Sequence, residues 1–171
     1  MRNALRRLSA VAVFSACAAS PGAPPGARSD PEPPPRVVDA LYEDGRRTLE
    51  PAALIASVPL AEGEATKVAL VGADAHSSHH VVALRDAEPL HRHDAHDLLA
   101  VLLRGHGRMW IEGEERTIGP DSITFVPRGA VHSLRNDAAE PLVGYVVFWP
   151  PFDGRDRVLV EPEAAAAEAS P

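Results

Sequence analysis

Between Thr66 and Trp149 the chain reads as short apolar runs broken by turn residues: TKVALVG, HHVVAL, LLAVLLRG, RMWIEG, SITFV and LVGYVVFW. The runs are rich in Val, Ile, Leu and aromatics, and Gly, Pro, Asp and Asn punctuate them at spacings of about 8 to 12 residues. That rhythm predicts an all-β domain, built as a single jelly-roll β-barrel. Gly113 to Glu115 sit where a hairpin turn joins RMWIEG to the strand after it. Upstream, Arg36 to Ala56 carries short structure, with a one- or two-turn helix entered through Pro51. The barrel domain is placed at 36–160. The tail at 161–171 has no apolar periodicity and reads as a frayed helix or a disordered end.

The first residues follow a different pattern. Arg2, Arg6 and Arg7 precede Leu8 to Ala16, an apolar run too short for the ~20 residues that a bilayer-spanning helix needs. The run ends in FSAC, whose Cys17 is the only cysteine of the chain. Small residues before a single Cys resemble a bacterial lipobox, with Cys17 lipid-modified and first in the mature protein. Cleavage after Ala18 is the alternative, since Ala16 and Ala18 also satisfy the small-x-small rule. Residues 1–17 are thus expected to direct export to the cell envelope or periplasm. Residues 18–35, rich in Pro, Gly and Ala, are expected to form an extended linker.

Length and charge narrow the function. A chain of 171 residues fits one domain with a real core. Loss of the three arginines in the first 16 residues takes the formal charge from −7 to −10. An acidic body argues against nucleic acid and against electrostatic binding to anionic lipid, which leaves a lipid on Cys17 as the only expected membrane attachment. With Cys17 used, no disulfide is available.

The candidate chemistry lies between Pro89 and Asn136. PLHRHDAHD offers His91 and His93 two residues apart, followed by Asp97. Positions two apart on an extended strand share a face, so both imidazoles are able to enter one cavity. PRGAVHSLRN then offers His132 after a Pro-x-Gly turn. Three imidazoles and a carboxylate make a divalent transition-metal site. The remaining histidines, His76, His79, His80 and His106, read as exposed or edge residues, with one of His79 or His80 a candidate for the barrel mouth. His96 is the alternative to Asp97 as a ligand. Asn136 reads as a turn residue whose side chain serves backbone groups. Trp110, Phe125, Tyr145, Phe148 and Trp149 read as core or pocket wall, and Arg128 either meets an anionic substrate or is solvated. No phosphate-cradling loop, dinucleotide fingerprint, Cys-based zinc motif or nucleophile elbow is present.

These two segments resemble the paired motifs of the cupin superfamily over roughly residues 66–150. His91, His93 and Gly105 match the first motif, in which Arg85 replaces the opening Gly and Asp97 the Glu, with one residue too many before Gly105. Counted back from Gly105, the Glu slot falls on Leu98. Pro127, Gly129, His132 and Asn136 match the second motif, with its leading Gly119 displaced by Pro120. The resemblance implies a jelly-roll barrel and a metal held by His91, His93, Asp97 and His132. Imidazole and carboxylate together suit Fe, Mn, Ni, Zn or Cu. It also implies a metal-dependent enzyme of oxygenase, isomerase or decarboxylase type acting on a small organic molecule. A non-catalytic envelope module holding a small ligand or metal is the rival, and a barrel without metal the third reading. Edge-strand pairing into a homodimer is expected.

Overall fold

The computed structural model describes residues 35–161. The expected signal segment 1–17 with Cys17, nearly all of the 18–35 linker and all but the first residue of the tail lie outside the described residues. No helix among the described residues is long and apolar enough to cross a membrane.

The apolar runs become strands of two antiparallel sheets. One holds β3 (Thr66–Ala73), β4 (Ser78–Leu84), β6 (Asp97–Arg104), β9 (Ile123–Val126) and β11 (Leu142–Trp149), in the order β3-β4-β11-β6-β9. The other holds β5 (His91–Arg92), β7 (Gly107–Ile111), β8 (Glu114–Ile118), β10 (His132–Asn136) and β12 (Val158–Leu159), in the order β12-β5-β10-β7-β8. This is the expected all-β jelly roll. The turn between β7 and β8 is Glu112-Gly113, both at positive φ (47° and 87°), the twist a two-residue hairpin needs. Gly107 is fixed by contact rather than by φ, because a Cβ there would sit 2.1 Å from the Arg135 carbonyl oxygen on β10.

Strand alternation sorts side chains into two cores. Leu84, Leu102 and Leu142 point between the sheets and pack with Ile118 and Leu134, filling one end of the barrel. Leu98, Val126 and Phe148 pack with Ile111, Ala130 and Phe152 nearer the other end. On the outer face of the first sheet, Val81, Ala83, Val143 and Tyr145 are covered by Leu54 and Val58. Leu54 belongs to the expected helix, α1 (Pro51–Ala56), which carries Pro in its first turn. Full burial of each Val or Leu side chain here stabilises by about 1.5–3 kcal/mol. Ahead of α1 a hairpin, β1 (Val38–Tyr42) and β2 (Gly45–Leu49), adds Val38 and Leu49 to the same cover.

Candidate metal centre

His91 stands on β5 directly opposite His132 on β10, and His93 follows β5 by one residue. All three are buried, at 3%, 4% and 5% exposure for His91, His132 and His93. Their ring centroids are 4.3 Å (His91–His132), 5.2 Å (His91–His93) and 5.5 Å (His93–His132) apart. One ring nitrogen from each lies within 4.8 Å of the others.

Hydrogen bonds decide which nitrogens face inward. His91 Nδ1 donates to the Pro89 carbonyl at 2.9 Å, His132 Nδ1 to the Ala130 carbonyl at 3.0 Å, and His93 Nδ1 to the Asp156 carbonyl. A carbonyl oxygen only accepts, so each Nδ1 carries the hydrogen and each Nε2 the free lone pair. This is the orientation that metal-ligating histidines take. Burial, with a lesser contribution from neighbouring positive charge, pushes His91 down to about 3 and His132 down to about 4. His93 is also lowered, first by burial. All three are therefore neutral ligands at neutral pH. Nitrogens bound to one ion at ~2.1 Å lie at most about 4.2 Å apart, so small ring rotations suffice to seat a metal here. The donor set fits.

Asp97 is not brought to this cluster. Its carboxylate accepts the Arg128 backbone N–H at 2.8 Å and the Arg128 guanidinium at 2.6 Å, which holds it below the usual carboxylate range. The cavity-facing side chain at the start of β6 is Leu98, the residue reached by counting back from Gly105. The four-ligand set His91, His93, Asp97 and His132 thus reduces to three histidines, with hydrocarbon on the expected carboxylate side. His96 is buried but engaged elsewhere: its Nδ1 meets the Asp156 carboxylate at 2.5 Å and its Nε2 the Pro151 carbonyl at 3.2 Å. That same carboxylate accepts the Asp94 and Ala95 N–H groups at 3.0 and 2.8 Å, clamping the loop after His93.

Other candidates fall to either side of the sheet. His80 lines the mouth and bonds Ser78 Oγ at 2.9 Å, whereas His79 turns outward to the Tyr145 hydroxyl at 2.6 Å. Tyr145 packs in the outer core, and burial first pushes its hydroxyl pKa up. His106 is exposed in a loop. Phe148 forms cavity wall and stacks on Phe152 at 4.6 Å. Phe125 stacks on Trp149 at 5.9 Å. Asn136 Nδ2 donates to the Arg85 and Glu140 carbonyls at 2.7 and 2.8 Å, the backbone service expected of it.

Glu88 carries no motif signal in the sequence. Its carboxyl lines the histidine cavity, accepts no hydrogen bond among the described residues, and is pushed upward by burial. An acid before Pro89 has the look of loop, and only the proximity of His91 hinted otherwise.

Comparison with known proteins agrees with this geometry. The family described as Cupin domain matches residues 75–148. A protein of Aquifex aeolicus (strain VF5), described only as uncharacterized, is 38% identical over 84 residues, 49% of this chain and 69% of its own length. Residues 75–148 belong to the cupin superfamily. Solved cupin-fold structures resemble the chain in the same way. A double-stranded β-helix protein from Klebsiella pneumoniae aligns at TM-score 0.54 and 19% identity over 63% of this chain and 94% of its own. The Schizosaccharomyces pombe Cnp3 cupin domain aligns at 0.51 and 17%, over 67% and 85%. A protein from Thermus thermophilus aligns at 0.51 and 25%, over 57% and 95%. Asp121, in the turn where Gly119 is displaced from the second motif, adopts a left-handed backbone at φ 69°.

Proposed function

We propose that this cupin binds one divalent transition metal through the Nε2 atoms of His91, His93 and His132 and acts on a small organic molecule. The orientation of the three imidazoles carries the reading: each Nδ1 is committed to a carbonyl and each lone pair to a common centre. Three neutral ligands leave the ion open positions and its full positive charge, and a metal so held supplies Lewis-acid or redox chemistry. Around it the chain's own residues perform distinct tasks. Leu98, Ala100, Val146 and Phe148 keep the interior dry, in a cavity of about 110 Å³. Glu88, with a raised pKa and free oxygens, is the group able to hold or release a proton beside a bound molecule.

This supports a metal-dependent enzyme, and Glu88 favours acid–base work of isomerase or decarboxylase kind over an oxygenase that relies on metal alone. What favours the non-catalytic rival is that Tyr145 and His106, which also carry ionisable groups, lie away from the cavity. Location belongs to the same proposal: export by residues 1–17 and anchoring through lipid on Cys17.

The test is metal content of the full chain, purified without a metal-binding tag, beside His91→Ala, His93→Ala and His132→Ala. About one ion per chain, lost in each variant, is the expected result. A full complement retained in any one variant overturns the three-histidine site. Labelled palmitate incorporated by wild type and not by Cys17→Ala is the expected result for the anchor.

A further inference from the structure

Outside the histidines, between β3 and the segment leading into β12, a groove of about 530 Å³ opens to solvent. Val82, Glu88, His91, His93 and Phe148 line both this groove and the interior cavity, so the two are continuous at the histidines. The groove is of ligand size, which the interior is not. Its walls are apolar: Phe148 and Phe152 on one side, Val68 and Leu70 on the other, the last two 56% and 64% exposed.

Among the described residues, one cation faces this apolar channel. Arg157 lines the groove, and its charge acts on all four titratable groups of the site, lowering His91, His93, His132 and Glu88. Arg46, Arg108 and Arg128 each grip a carboxylate. Among the described residues, the Arg157 guanidinium has no such partner. The acids lining the groove do not replace one. Asp153 sits exposed at the rim with its carboxylate on the Arg155 N–H at 2.9 Å, and Glu88 forms no ion pair with Arg157. A planar guanidinium at the head of an apolar slot is suited to a carboxylate.

We infer that this mouth selects a small molecule with a carboxylate at one end and an apolar body. Arg157 holds the carboxylate, Phe152 and Phe148 guide the body, and the far end meets the three histidines. The inference rests on the metal-binding reading above, because the far end needs an ion to meet.

The test uses full-length protein loaded with cobalt(II), with butyrate and butyramide as probes, read by calorimetry and by the visible spectrum of the ion. Butyrate is expected to bind at least about tenfold more tightly than butyramide, the usual scale for a charge-assisted hydrogen bond. Arg157→Gln is expected to raise the butyrate Kd about tenfold while cobalt stoichiometry stays the same, and Arg157→Lys to recover part of the loss. Equal affinities for acid and amide, or an Arg157→Gln variant that binds butyrate as wild type does, overturn the inference while leaving the metal site standing. Failure of the wild type to take up cobalt overturns both.

Discussion

Asp97 is tied to Arg128 by three contacts, one from the backbone N–H at 2.8 Å and two from the guanidinium at 3.3 and 2.6 Å, and so spans from β6 to the turn before β10. Its function is structural. Asp97→Ala is expected to keep a full complement of metal while lowering the urea midpoint, because a charge-assisted bond to backbone is lost with the ion pair. Arg128→Ala removes only the half-exposed guanidinium and is expected to lower the midpoint less than Asp97→Ala does. Metal analysis and urea unfolding of the two variants check both statements.

Asp156 lies far from the histidines in sequence and holds the loop that carries His93, through Asp94, Ala95 and His96. Asp156→Ala leaves every ligand in place but frees that loop. Metal affinity is expected to fall about 10- to 100-fold, the usual consequence of losing support behind a ligand. Competition with a chromogenic chelator measures it.

Stability of the metal-free protein is expected to depend on pH in one direction. Burial holds folded His91 near 3 and His132 near 4, whereas an unfolded imidazole titrates near 6.5. Between those values the unfolded chain binds more protons, so stability rises with pH. It is expected to be flat above about pH 7.5 and to fall below about 6.5, with each histidine contributing at most about 1.4 kcal/mol per pH unit. Urea midpoints from pH 8 to 4.5 in the presence of chelator check the slope, and His132→Gln should make it shallower.

Gly107→Ala is expected to destabilise by at least about 1–3 kcal/mol, since its Cβ meets a backbone oxygen that cannot rotate away. Gly119→Ala, with nothing within 4 Å, is expected to stay within about 0.5 kcal/mol of wild type. Thermal unfolding separates the two.

The long strands were legible because each is a β-branched or aliphatic run between turn residues, as in β4 and β11. β5 and β12 are two residues each, too short to show any period. The β1–β2 hairpin was signalled only by Asp44-Gly45 among charged neighbours. His91, His93 and His132 could be read from spacing. The carboxylate could not, for a physical reason. β6 is apolar on both faces, with Leu98, Ala100 and Leu102 lining the interior while Leu103 packs into the outer core. With no polar face to set the phase, residue counting alone left Asp97 and Leu98 as rivals. Arg157 was invisible for a related reason: nothing in the sequence around it ties it to histidines that lie well upstream, on β5 and β10.

The covering of the outer sheet by α1 sets a boundary for anyone trimming this protein. Cutting the chain to residues 75–148, the stretch that matches the family, would remove all of β3 and with it Leu54 and Val58. Val81, Ala83 and Val143, each at 0% exposure, would then face water on a bare sheet that invites aggregation. The least portion able to fold alone must begin before Leu54, and so exceeds what inheritance from the family alone would mark out.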